Sequence, residues 1–165
     1  MNARTKTILA AAIAAAFITP TASATAWLTG KGQTAEAPQI IYAETDTGAA
    51  LLSCSQNGKL KTILSSNGAD FGSRIHQSVK YRRGVDVVLT IGDIVNDEVT
   101  WRYMPANETI YSSRHTQAAK LYNAAIRGDE VSVSLDGKSY ATMTLPSVDA
   151  TFTAFANTCN AKKPA

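Results

Sequence analysis

Histidine and cysteine are what this chain has least of among reactive residues, with two of each in 165. Only His76 and His115 could serve a nucleophile as base, and neither stands beside a cysteine in sequence. His76 lies in the polar stretch Ser73–Ser78 and His115 in the first turn of a predicted helix, so both read as locally bonded or solvated side chains. No Gly-x-Ser-x-Gly segment occurs, which removes the strand-to-helix elbow of α/β serine hydrolases. Gly30-Lys31-Gly32-Gln33-Thr34 lacks both the Walker spacing and a preceding hydrophobic strand. Asp70-Phe71-Gly72 matches a kinase tripeptide with every other kinase element missing. There is no Cys-x-x-Cys, and two thiolates without histidines at ligand spacing do not make a zinc site.

A long hydrophobic run is also missing. The longest, Ile8–Ile18, falls short of the roughly 20 residues that cross a bilayer. Arg4 and Lys6 precede it and Pro20 ends it, the layout of a cleaved secretion signal over residues 1–26 rather than of a membrane anchor. Ala22-Ser23-Ala24 and Ala24-Thr25-Ala26 both fit small-x-small cleavage, so the mature chain is expected to begin at Thr25 or Trp27. No later segment is apolar enough to span a membrane, and the Ala-rich leader points to the bacterial periplasm or to release beyond it. In that oxidising compartment two cysteines permit one intramolecular pairing, Cys54 with Cys159.

Nor is there a large excess of one charge. The formal charge of +3 falls to +1 once Arg4 and Lys6 leave with the signal, which argues against nucleic acid as the main partner. What remains is one domain, since about 139 residues suit a single core that needs no metal or other cofactor to fold.

Strand signals fill that domain. Residues 27–38 read as an exposed, Gly- and Thr-rich arm, and a single β-sandwich domain is expected over 39–160, with a tail at 161–165. Gln39–Ala43, Ala50–Ser55 and Lys59–Leu64 come first, the last two joined at Asn57-Gly58, where a type I′ turn is expected. Val79–Arg82 and Val85–Ile91 flank a reversal expected at Arg83-Gly84. Glu98–Met104 alternates, with Val99, Trp101 and Tyr103 on one face and Thr100 and Arg102 on the other. Val131, Val133 and Leu135 alternate with polar residues before Asp136-Gly137 turns the chain into Tyr140–Leu145. Period-two runs at this spacing predict a mainly β fold, an antiparallel β-sandwich. Helical spacing appears at 114–127, with Ser113 as N-cap and Gly128 as terminator, and in a short C-terminal helix at 151–158 capped by Asp149. There Phe152, Phe155 and Cys159 share one face.

Two charged clusters stand out. Asp93, Asp97 and Glu98 form a turn between strands, and their alternatives are calcium binding or acid/base glycan cleavage. Lys80, Arg82, Arg83 and Arg102 form a basic stripe that reads either as solvated sheet face or as a grip for carboxylates. Trp, Tyr and Arg dominate binding hot spots, which makes Arg82, Arg83, Arg102 and Tyr103 the candidate recognition surface, while Trp101 reads as core.

Several features recur in one order: Trp27, Leu51-Leu52-Ser53-Cys54, Val79-Lys80-Tyr81-Arg82, Val99-Thr100-Trp101, a helix before Gly128–Val133, then Phe152, Phe155 and Cys159. In this order the chain resembles the small secreted β-sandwich proteins around invasion-associated locus B and the type VI secretion accessory VasI. The resemblance implies a non-catalytic envelope or secreted factor, with no catalytic or metal-binding residues to carry over. The expected function is an exported, non-enzymatic binding protein whose partner is a protein or an anionic glycan of the cell envelope. The alternative is a periplasmic inhibitor of a lysozyme or other wall hydrolase, using the loops Asn67–Ser73 and Gly92–Glu98. A glycan hydrolase using Asp93, Asp97 or Glu98 is the third reading.

Overall fold

The computed structural model describes residues 26–76, 81–97 and 101–162. Their order is β1 (Leu28–Thr29), β2 (Ile40–Thr45), β3 (Gly48–Cys54), β4 (Leu60–Ser65), α1 (Phe71–Arg74), β5 (Arg83–Val85), β6 (Val87–Ile91) and β7 (Ile94–Asn96). Then follow β8 (Trp101–Met104), a 3-10 turn (Pro105–Asn107), β9 (Thr109–Ser112), α2 (His115–Arg127), β10 (Glu130–Leu135), β11 (Lys138–Thr144) and α3 (Ala150–Ala161). The strands form two antiparallel sheets, one in the order β1-β2-β3-β4-β9-β8-β5 and one in the order β11-β10-β6-β7. One hydrophobic core joins them, and the chain is the mainly β sandwich with helices that its periodicity predicts. Residues 1–25, which are all but the last of the expected leader at 1–26, and the C-terminal residues 163–165 lie outside the described residues.

Burial follows strand pattern. In β10, Val131 and Val133 are buried and Ser132 and Ser134 are not, so that strand has one wet face. β3 is different: Gly48 to Leu52 are all buried, because Ala50 and Leu52 face the central core while Ala49 and Leu51 lie under Phe71 of α1. α1 therefore roofs part of the outer face of the large sheet. Arg74 pins it there, donating to the carbonyls of Asn107 (2.8 Å), Ala69 (3.2 Å) and Asn67.

Turn chemistry sets the registers. Asp136 and Gly137 both carry positive φ, at 49° and 76°, as the two-residue loop between β10 and β11 requires. The β3–β4 hairpin forms as expected, but its turn is not type I′. Only Gly58 takes positive φ, and Ser55 to Lys59 enclose a three-residue loop with Gly58 N–H bonded to the Ser55 carbonyl. A Ser55 Oγ acceptor for Lys59 N–H, at 3.1 Å, favours the longer loop.

Other expectations change as well. Arg83-Gly84 is not a reversal but most of β5, paired with Tyr103 and Arg102 of β8. Tyr81 and Arg82 precede that strand rather than end one, and Val79 and Lys80 lie outside the described residues. The chain passes from the large sheet to the small one at Asp86 instead. Asp86 N–H donates to Asp136 Oδ1 (3.2 Å) and Asp136 N–H donates back to the Asp86 carbonyl (2.9 Å). The region expected as one loop, Gly92–Glu98, contains β7, a short edge strand.

The helices close the sandwich. α2 packs against β4 of one sheet and against β6 and β10 of the other, through Ala118, Leu121, Ala124 and Ala125. It ends at Gly128 (φ 71°), as expected. Its N-cap is Arg114 rather than Ser113, since the backbone stays extended through Arg114 and its N–H meets the Ser112 hydroxyl at 3.3 Å. In α3 Asp149 is the N-cap, its Oδ1 accepting Phe152 N–H at 2.8 Å. Its Oδ2 accepts Trp27 N–H at 3.0 Å, and Trp27 Nε1–H reaches the Pro146 carbonyl at 3.2 Å. Trp27 is buried against Phe152, at 5.3 Å between ring centroids, so the arm expected over 27–38 is wrong at its start. Its indole has a hydrogen-bond partner inside the core, whereas most of 31–37 is exposed.

Cys54 at the end of β3 is bonded to Cys159 in α3, with Cα atoms 5.8 Å apart and a sequence separation of 105. Loop closure of that length contributes about 4–5 kcal/mol in the chain-entropy account. Replacing both cysteines with serine is expected to lower unfolding free energy by up to about that amount, read from urea melts, with the wild type under reductant falling to the same level. A second expectation concerns Tyr140, whose hydroxyl donates to the Glu108 carbonyl at 2.7 Å and whose phenol is pushed up to about 12, mainly by burial. The unfolded phenol titrates near 10. Stability contributed by the protonated ring is therefore complete below pH ~10 and is lost as pH rises through about 12. Tyr140→Phe should flatten that alkaline slope in denaturation experiments.

Candidate functional site

Pairing in the large sheet lines up one row of residues across its outer face: Tyr42, Leu51, Ile63, Tyr111, Arg102 and Gly84. Phe71 of α1 covers the Tyr42–Ile63 end. At the other end Arg102 and Gly84 are exposed. There the face opens into a groove of about 550 Å³, within the usual range of roughly 300–1,000 Å³ for ligand sites. Gly84, Val85 and Asp86 form one wall, Trp101 and Arg102 the floor, and Ser113 and Arg114 the far wall.

This position follows from how two strands end. β5 leaves the sheet at Asp86 to become β6 of the other sheet, and β9 leaves it after Ser112 to become α2. The sheet edge between the two departures is hollow. Trp101 itself is 2% exposed, so its ring belongs to the core as expected and only lines the bottom. Neither the Arg102 nor the Arg114 guanidinium has an ion-pair or hydrogen-bond partner among the described residues, where the ion pairs are Arg83–Asp136 and Arg127–Asp129. α2 begins with no acidic residue in its first turn and no side-chain cap, so its dipole adds to the positive potential there.

The four residues expected to form one recognition surface are divided by strand parity. Arg102 faces the groove. Arg83 pairs with Tyr103 across β5 and β8, its guanidinium 5.3 Å from the phenol ring centre and 3.4 Å from Asp136 Oδ2. That pair sits on the opposite side of the strands and clasps the β10–β11 turn. Arg82 is exposed just before β5. Arg114, Ser113, Asp86 and Gly84 were not among the residues sequence reasoning chose. A glycine inside a strand pattern was the available signal, since it marks a bulge or a close approach.

The other chemical candidates resolve differently. His115 Nδ1 accepts Leu60 N–H at 3.0 Å, tying α2 to β4, an acceptor role open only to the neutral ring. Asp70, Ser73 and His76 share an open polar hollow with Lys31, Tyr42 and Glu44. No side-chain hydrogen bond joins Ser73 to His76 or His76 to Asp70 among the described residues, whereas Glu44 Oε1 accepts Gly72 N–H at 2.9 Å. The Tyr42 phenol is pushed up there by burial and by the Glu44 charge. Asp93 and Asp97 are separated by β7, and Glu98 lies outside the described residues. Among the described residues no three His, Cys, Asp or Glu side chains converge on a metal position, and no helix is long and apolar enough to cross a membrane.

No family model, curated protein or solved structure matches this chain.

Asp136 is expected to matter for folding and the groove arginines are not. Asp136→Ala removes two hydrogen bonds at the sheet-to-sheet bend and leaves a Cβ residue at positive φ, for a cost of about 1–3 kcal/mol. Arg102→Gln and Arg114→Gln should each stay within about 0.5 kcal/mol of wild type in the same urea titration.

Proposed function

We propose that this chain is an exported, non-enzymatic binding protein of the bacterial cell envelope that holds an anionic partner, a protein or a glycan, at the outer face of its large sheet. The observation that carries this reading is the groove at the end of the outer face away from α1, with two arginines, Arg102 and Arg114, that have no partner among the described residues. Arginine presents a planar fork of donors suited to carboxylates, and here the forks are not spent on acids among the described residues. The Cys54–Cys159 disulfide agrees with export, and the leader read at residues 1–26 supplies the route. The likeness in feature order to the invasion-associated locus B and VasI proteins points the same way.

A second reading has its own support. The β6–β7 hairpin presents Ile94 and Val95, 64% and 65% exposed, on an edge strand. An apolar tip on a disulfide-linked sandwich suits insertion into the cleft of a lysozyme or other wall hydrolase. Micromolar protein would then inhibit a panel of such enzymes, and Ile94→Asp with Val95→Asp would abolish the inhibition.

The leading reading is tested by cross-linked capture from envelope extract with tagged mature protein. A component retained by wild type and by an Arg127→Ala control, and lost with Arg102→Glu/Arg114→Glu, is the expected result. Equal capture by all three proteins, or none by wild type, would remove the reading.

A further inference from the structure

Gly84 has no backbone reason to be glycine. It sits inside β5 opposite Arg102, it is not among the residues with positive φ, and a Cβ built on it meets no described atom within 4 Å. A strand interior disfavours glycine on both entropy and packing. The side chain omitted at this position would stand beside Arg102 on the outer face and fill the groove, so the effect of the glycine is to keep that space open.

The groove is closed to one class of polymer. A peptide adding a strand at β5 would need the edge to continue, but Asp86 N–H and C=O are both taken by Asp136, and Arg83 folds over the same turn. The side chains that line the groove then decide what it holds. Those side chains are mixed: two cations, the Asp86 carboxylate and the Ser113 hydroxyl. A run of carboxylates would meet Asp86 as a like charge. A group carrying one carboxylate with hydroxyls on neighbouring carbons satisfies every wall, because Asp86 accepts from hydroxyls and the guanidinium forks take the anion.

Building on the binding reading above, we infer that the groove is a glycan subsite for a uronic acid residue, with Arg102 and Arg114 on its carboxylate, Asp86 and Ser113 on its ring hydroxyls, and Gly84 as the residue that admits it. The test is calorimetric titration of the mature, disulfide-bonded protein with oligogalacturonate and oligoglucuronate, the same oligomers with carboxyls reduced to alcohols, and a poly-glutamate peptide of equal charge. At least one uronate oligomer is expected to bind, and carboxyl reduction or Arg102→Gln should weaken it about 10- to 100-fold, the loss of a charge-assisted contact. Gly84→Val should abolish binding while the thermal midpoint holds or rises, since valine suits a strand and meets no clash there. Arg127→Ala, at the far end of α2 and outside the groove, should bind as wild type. Binding that survives Gly84→Val, tolerates carboxyl reduction or is matched by poly-glutamate would overturn the assignment, as would no binding of either uronate. In any of those cases, retained Arg102/Arg114-dependent capture from envelope extract leaves the broader binding reading standing, and loss of both results removes both.

Discussion

The fastening of α3 at both ends is the constraint on which the rest of the sandwich depends. At its start one carboxylate, Asp149, accepts the helix's own Phe152 N–H and the Trp27 N–H from the other end of the domain. At its finish Cys159 is covalently joined to β3. Phe152 lies between these anchors and stacks against both Trp27 and Tyr122 of α2, the latter at 4.9 Å. The helix therefore binds first strand, third strand and second helix into one unit, and the core between the sheets is sealed by elements that are distant in sequence.

A second clasp shapes the surface. The exchange of hydrogen bonds between Asp86 and Asp136 fixes the point at which the chain leaves the large sheet for the small one. Because β5 stops there, its pairing with β8 ends at Val85 and Trp101, and α1 roofs only the opposite end of the face. Fold and groove share one cause. The Arg83 side chain belongs to the clasp and the Arg102 side chain to the groove, although the two residues lie on adjacent strands.

The candidate site was legible in part. Arg102 stood out as a polar position in an alternating strand, and that alternation also placed Trp101 in the core. Arg114 did not stand out, because at a helix start it reads as an ordinary solvated residue until the end of β9 brings it to the edge of the groove. Gly84 was misread for a physical reason: Arg-Gly between two apolar runs is equally a turn or a strand interrupted by glycine, and only the pairing with Arg102 and Tyr103 decides between them.

By itself the sequence determined whatever depends on a few adjacent residues. Period-two burial marked the strands, Asp136-Gly137 and Gly128 supplied the left-handed conformations for a turn and a helix end, Asp149 capped α3, and two cysteines admitted one bond. Tertiary structure alone decided which sheet each strand joined, that Trp27 turns inward, and that Arg102 and Arg114 share a groove while Arg83 does not. Those outcomes rest on contacts between residues up to 122 positions apart, as with Trp27 and Asp149. Local φ/ψ preference and periodicity carry no information about which of several compatible partners a strand or side chain will meet.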